Sequence, residues 1–71
     1  SRDLDTASTA LNKAYELNPY SISILSNMGD LSYLQGDHSK AEEFWLQTLS
    51  LDPNHTHAKQ GIQAILKTNT P

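Results

Sequence analysis

The chain has 71 residues, of which 37% are hydrophobic and 18% are charged, and it contains no cysteine. This length allows one small domain, the composition is typical of a folded protein, and the missing cysteines exclude disulfides and thiolate metal sites. The formal net charge is −3, and the five Lys and Arg residues are scattered singly. This argues against nucleic acid as the main ligand, because phosphate recognition needs clustered positive charge. No apolar stretch exceeds three residues, so no membrane insertion is predicted, and no signal peptide is recognisable that would assign a compartment.

The first predicted helix spans about residues 3–17, where apolar residues recur at helical spacing along one face. Lys13 lies near its C-terminal end and complements the helix dipole there. The helix ends before Pro19, since the residue before a proline disfavours the helical conformation. The apolar face comprises Leu4, Ala7, Leu11, Ala14 and Leu17.

The second predicted helix spans about residues 21–35, and Ser21 is the residue type preferred at a helix N-cap. Gly36 suits the left-handed position that follows a helix, and Asp37 can cap the next helix. The apolar face of the second helix comprises Ile22, Leu25, Met28, Gly29, Leu31, Tyr33 and Leu34.

The third and fourth predicted helices span about residues 38–51 and 55–67. The third is stopped before Pro53, as the first is before Pro19. Together the four helices predict a single helical domain over residues 1–67, followed by a frayed tail at 68–71. The apolar residues of these two helices are Ala41, Phe44, Trp45, Thr48, Leu49 and Leu51, and then Ala58, Ile62, Ile65 and Leu66.

An internal repeat connects these elements, because Pro53 follows Pro19 by 34 residues. At that offset Ala7 falls on Ala41, Leu11 on Trp45 and Leu17 on Leu51, so residue volumes as well as helix ends recur. A period of this length indicates a stacked-repeat architecture. The chain is thus read as half a repeat, one full repeat and another half repeat.

The order and spacing of small, large and proline positions resemble a tetratricopeptide repeat. The resemblance covers residues 3–67 and implies an all-α fold of about four helices, with antiparallel helical hairpins stacked as a right-handed superhelix. It departs from the family pattern at Leu25, Ser32, Thr48 and Gln63. Because Gln63 of the last helix stands where the family has a glycine, that helix is expected either to cap the array or to open another repeat. The residues that carry the resemblance are Ala7, Leu11, Ala14, Pro19, Met28, Gly29, Gly36, Ala41, Trp45 and Pro53.

The resemblance also implies a function, that of a protein-interaction scaffold with a concave face lined by the first helix of each repeat. Such a face suits a peptide or helix of a partner protein. Asn27 is expected to contact a partner's main chain, and Asp30 argues against acidic chaperone tails, which need positive charge. The residues expected on the concave face are Ser23, Ser26, Asn27, Asp30, Tyr33, His57 and Gln60, with Leu34, Ala64 and Lys67 beside them.

Several other interpretations compete with this one. His55 and His57 suggest a metal site, but residues two apart on a helix point in different directions, so solvated histidines at a helix start are preferred and no metal or cofactor is predicted. His38 is expected to pack against the helices. The pair Phe44 and Trp45 resembles a ligand-stacking pair, yet large side chains on an apolar helix face usually form the core.

No catalytic role is predicted, because no phosphate loop, cysteine nucleophile or carboxylate pair in a shaped pocket is recognisable. The alternative to a binding module is a structural element that ends an array or self-associates as a homo-oligomer. This alternative rests on the first helix, whose Leu4, Leu11 and Tyr15 are expected to leave apolar surface uncovered without a further helix.

Overall fold

The computed structural model describes residues 2–69, without the side chains of Arg2, Leu4 and Asn69. It contains four helices, α1 (Arg2–Leu17), α2 (Ile22–Leu34), α3 (His38–Leu51) and α4 (Thr56–Asn69), and no strand occurs among the described residues. The predicted all-α class is therefore confirmed. The predicted tail is wrong at Thr68 and Asn69, which extend α4 by two residues. Thr68 is held there by a hydrogen bond from its hydroxyl to the carbonyl of Ala64, and residues 70–71 lie outside the described part.

Two similar turns connect α1 to α2 and α3 to α4. In each, a residue that starts the next helix donates its N–H to the carbonyl three residues earlier, Ser21 to Asn18 at 3.3 Å and His55 to Asp52 at 3.0 Å. The proline at the second turn position favours this turn, because its ring holds φ near the value that the turn requires. Ser21 then caps α2 as predicted, with its Oγ accepting the N–H of Ile24 at 3.3 Å.

A three-residue connection joins α2 to α3. Gly36 has a φ of 83°, and the N–H of Asp37 donates to the carbonyl of Ser32 at 2.9 Å, which is the hydrogen-bond pattern of a Schellman helix end. The Asp37 carboxylate accepts the N–H of Lys40 at 3.1 Å and so caps α3. Both predictions for this turn are confirmed.

The two helices α2 and α3 form an antiparallel hairpin. Tyr33 near the end of α2 stacks on His38 at the start of α3, with ring centroids 4.7 Å apart. Further from the turn, the indole N–H of Trp45 donates to the carbonyl of Ser26 at 3.3 Å. The end of α2 is therefore in contact with the start of α3, and the middle of α2 with the middle of α3, which makes the pair antiparallel. The stacking of Tyr33 on His38 also confirms the expected packing of His38.

Two clusters of apolar residues hold the helices together. The first joins α1, α2 and α3, and the second joins α3 and α4 with the end of α2. The first comprises Leu25, Met28 and Phe44, with Leu11, Tyr15 and Ile24 against them. The second comprises Ala41, Trp45, Ala58 and Ile65, with Tyr33, Leu49 and Ile62 against them.

The first helix differs from expectation in how it is covered. Leu11 and Tyr15 are half-buried in the first cluster, so they do not leave the open apolar surface that was expected of them. Ala7 is exposed although its repeat equivalent Ala41 is fully buried, because the backbone of α1 comes close only to that of α2 among the described helices, whereas the backbone of α3 comes close to both α2 and α4. The side chain of Leu4 lies outside the described part.

Candidate functional site

A groove of about 370 Å³ lies between α2 and α4. Its floor is the indole of Trp45 from α3, which is otherwise buried and only 3% exposed. The expected core role of Trp45 is therefore correct, and the same side chain also reaches the groove. The groove is lined by Asp30, Tyr33, Leu34, Trp45, His57, Gln60, Gly61 and Ala64.

Two glycines allow Trp45 to lie at this position. A Cβ atom added to Gly29 of α2 would lie 2.5 Å from Cδ1 in the five-membered ring of the indole. A Cβ added to Gly61 of α4 would lie 2.6 Å from Cζ3 in the six-membered ring. Carbon atoms in contact are normally about 3.5–4.0 Å apart. The absence of side chains at both glycines therefore lets the two helices close on the indole.

A polar contact crosses the groove between α2 and α4. The imidazole Nε2 of His57 lies 2.6 Å from Oδ1 of Asp30, and the two side chains are 58% and 40% exposed. Because both groups are in contact with solvent, this pair is expected to contribute little to folding stability. Among the lining residues these are the only ionisable ones besides Tyr33, and Lys and Arg are absent from the lining.

Tyr33 has a structural as well as a surface role. It is half-buried, stacks on His38, and lies 5.8 Å from Trp45 between ring centroids. Aromatic pairs of this kind are worth about 0.5–1.5 kcal/mol beyond the area they bury. Replacing Tyr33 would therefore perturb the hairpin as well as any ligand.

The groove brings together four of the residues that the sequence assigned to a concave face: Asp30, Tyr33, His57 and Gln60. Leu34 and Ala64, expected beside them, also line it. Ser23 and Asn27 are exposed but are not among the lining residues, and Lys67 is likewise exposed outside the groove.

Ser26 is a correction to the sequence-based prediction. It is only 6% exposed, and its carbonyl accepts the indole N–H of Trp45, so it faces the interior and cannot line an open surface. Its repeat equivalent Gln60 is exposed. The difference arises because α2 has three helical neighbours, whereas α4 has two.

Two contacts made by the histidines were not predicted from the sequence. His55 caps α4, since its Nδ1 accepts the N–H of Ala58 at 3.2 Å. His57 contacts Asp30, so the two histidines have separate partners and their ring centroids are 6.5 Å apart. Among the described residues no group of three or more His, Cys, Asp or Glu side chains is arranged to hold a metal ion. No described helix is long and apolar enough to cross a membrane.

The antiparallel hairpin, with a helix packed on either side and a groove between α2 and α4, defines a helical-repeat protein. A comparison with protein families matches residues 22–55 to the tetratricopeptide repeat, and a search of curated proteins found no significant match. The segment that contains α2 and α3 therefore matches a tetratricopeptide repeat, which confirms the resemblance over residues 22–55. Repeats of this family are commonly protein-interaction modules and typically non-catalytic scaffolds.

Proposed function

We propose that this chain is a protein-interaction scaffold that holds a peptide or helix of a partner protein in the groove between α2 and α4, without catalysis of its own. The observation that carries this proposal is the composition of the groove. An indole floor and the exposed side chain of Leu34 are bordered by Asp30, His57 and Gln60, which combines apolar anchoring with polar groups that set orientation.

Leu34 is the best single position at which to test this function. Its side chain is 72% exposed, so its contribution to folding is small, yet it lines the groove. Leu46 is 51% exposed and lies outside the lining, which makes it a matched control. The variants L34S and L46S therefore lose the same apolar side chain, one inside the groove and one outside it.

Peptides selected from a random dodecapeptide library on phage provide the ligands, and fluorescence anisotropy measures their affinity. We expect L34S to weaken binding about tenfold, because burying a leucine side chain is worth about 1.5–3 kcal/mol and each 1.4 kcal/mol is a factor of ten. L46S should bind as the unmodified chain does. A second variant, A64E, should abolish binding by filling the groove while keeping a helix-forming residue. Equal affinities for all four proteins would refute the proposed site.

The alternative function, self-association, is favoured by a separate observation. Leu17 and Tyr20 lie beside the first turn and are 77% and 79% exposed. Sedimentation velocity at micromolar and near-millimolar concentrations tests this alternative. A monomer at both concentrations would exclude it, whereas a dimer that L17S dissociates would support it.

A further inference from the structure

We propose that the groove selects a partner segment in which a bulky apolar side chain stands next to a lysine or arginine. This inference rests on the proposed function and specifies the chemistry of the ligand. The apolar side chain would lie on Trp45, and the cationic group would contact the carboxylate of Asp30.

The size of the groove limits what can enter it. A volume of about 370 Å³ is near the lower end of the range for ligand sites, about 300–1,000 Å³, so it accommodates one or two side chains rather than a whole folded element. On the α4 side, Gly61 and Ala64 have no side chain beyond Cβ, so these two positions place no long side chain in the groove. The deepest position is therefore suited to a single bulky apolar anchor.

The charge of the groove favours a cation beside that anchor. Asp30 contributes the only carboxylate among the lining residues, and an ionised carboxylate beside His57 leaves this pair without net positive charge. No Lys or Arg lines the groove, and the whole chain has a formal net charge of −3. A carboxylate beside the anchor would consequently find no opposite charge, whereas a lysine or arginine would.

Asp30 retains capacity for such a contact. A carboxylate offers about four acceptor positions, and the 2.6 Å contact with His57 uses one of them. The His57 side chain is 58% exposed, so it can move aside or share the carboxylate at little cost. A cation from a partner can therefore join the pair without breaking the core.

The test compares which residues flank the apolar anchor in selected peptides. Random dodecapeptides on phage are selected on the unmodified chain and counter-selected on A64E, so that only groove-dependent binders are counted. The same selection is run on D30N, which keeps the side-chain shape and removes the charge. E43Q is the matched control, because Glu43 is an exposed acid of α3 outside the groove lining.

We expect the ratio of Lys and Arg to Asp and Glu at positions beside the anchor to be about three on the unmodified chain and on E43Q. This is the enrichment expected from one ion pair at a half-exposed site. On D30N the ratio should fall to about one. A ratio that D30N leaves unchanged, or a preference for acidic neighbours, would overturn the inference while leaving the proposed function intact. If no selected peptide depends on Ala64, both fail. Dimerisation that A64E abolishes would show instead that a second copy of the chain occupies the groove.

Discussion

Gly61 offers a sharp test because two lines of reasoning give opposite signs for Gly61→Ala. In an open helix interior, alanine in place of glycine stabilises by about 1 kcal/mol. In this protein the added Cβ would lie 2.6–2.7 Å from three atoms of the Trp45 six-membered ring. Normal contact is about 3.5–4.0 Å, so the ring or α4 must shift by about 1 Å.

The structure decides which effect is larger. Overfilling a packed core typically costs about 1–3 kcal/mol, and the gain in helix propensity offsets about 1 kcal/mol of that. We therefore expect G61A to lower the free energy of unfolding by about 1 kcal/mol. For a domain of this size the melting temperature should fall by about 4–8 °C.

The assay is urea and thermal unfolding followed by far-ultraviolet circular dichroism. Gln63→Ala is the matched control, since Gln63 is exposed on the same helix and alanine there should leave stability equal or slightly higher. In a Trp45→Leu background, which removes the ring, G61A should become neutral or stabilising. A higher melting temperature for G61A in the unmodified background would refute the close packing of Gly61 on the indole.

Three further predictions concern the turns and the polar contact, each measured by urea unfolding. Gly36→Ala should lower the free energy of unfolding by about 1–2 kcal/mol, because φ at this position is 83°. No atom lies within 4 Å of an added Cβ, so the whole effect is backbone strain. An unchanged free energy of unfolding would contradict the left-handed conformation. Asp37→Ala should cost about 1 kcal/mol through loss of the cap on Lys40, and an unchanged stability would argue against that cap. His57→Ala should change stability by less than about 0.5 kcal/mol, because its contact with Asp30 is exposed; a larger loss would show that the contact holds α4 in place.

Features with local causes were predictable from the sequence. Ser21, Gly36 and Asp37 act through hydrogen bonds or backbone angles within a few residues, so their residue types alone indicate a helix start, a left-handed turn and a cap. The repeat was predictable for a related reason. Ala41 and Trp45 fill particular volumes in a helical hairpin, and the sequence pattern records those volumes directly.

The features that were missed depend on how separate helices meet. Gly61 is two residues away from the repeat equivalent of Gly29, yet both glycines lie against the same indole, Gly29 beside its five-membered ring and Gly61 beside its six-membered ring. Ser26 and Gln60 are equivalent in the repeat, but only Ser26 is buried, since the number of neighbouring helices differs. No pattern within one helix contains this information.

Trp45 would link binding in the proposed groove to folding, because it belongs to both the core and the groove lining. A 71-residue domain is expected to have a stability of about 4–10 kcal/mol, and a ligand at a hundred times its Kd adds about 2.7 kcal/mol. A partner that covers the indole would therefore supply a substantial fraction of the total stability. Substituting Trp45 would lower affinity and stability together and could not separate them. Leu34 and Ala64 contact the same groove from its exposed border, which is why the binding experiments are placed there.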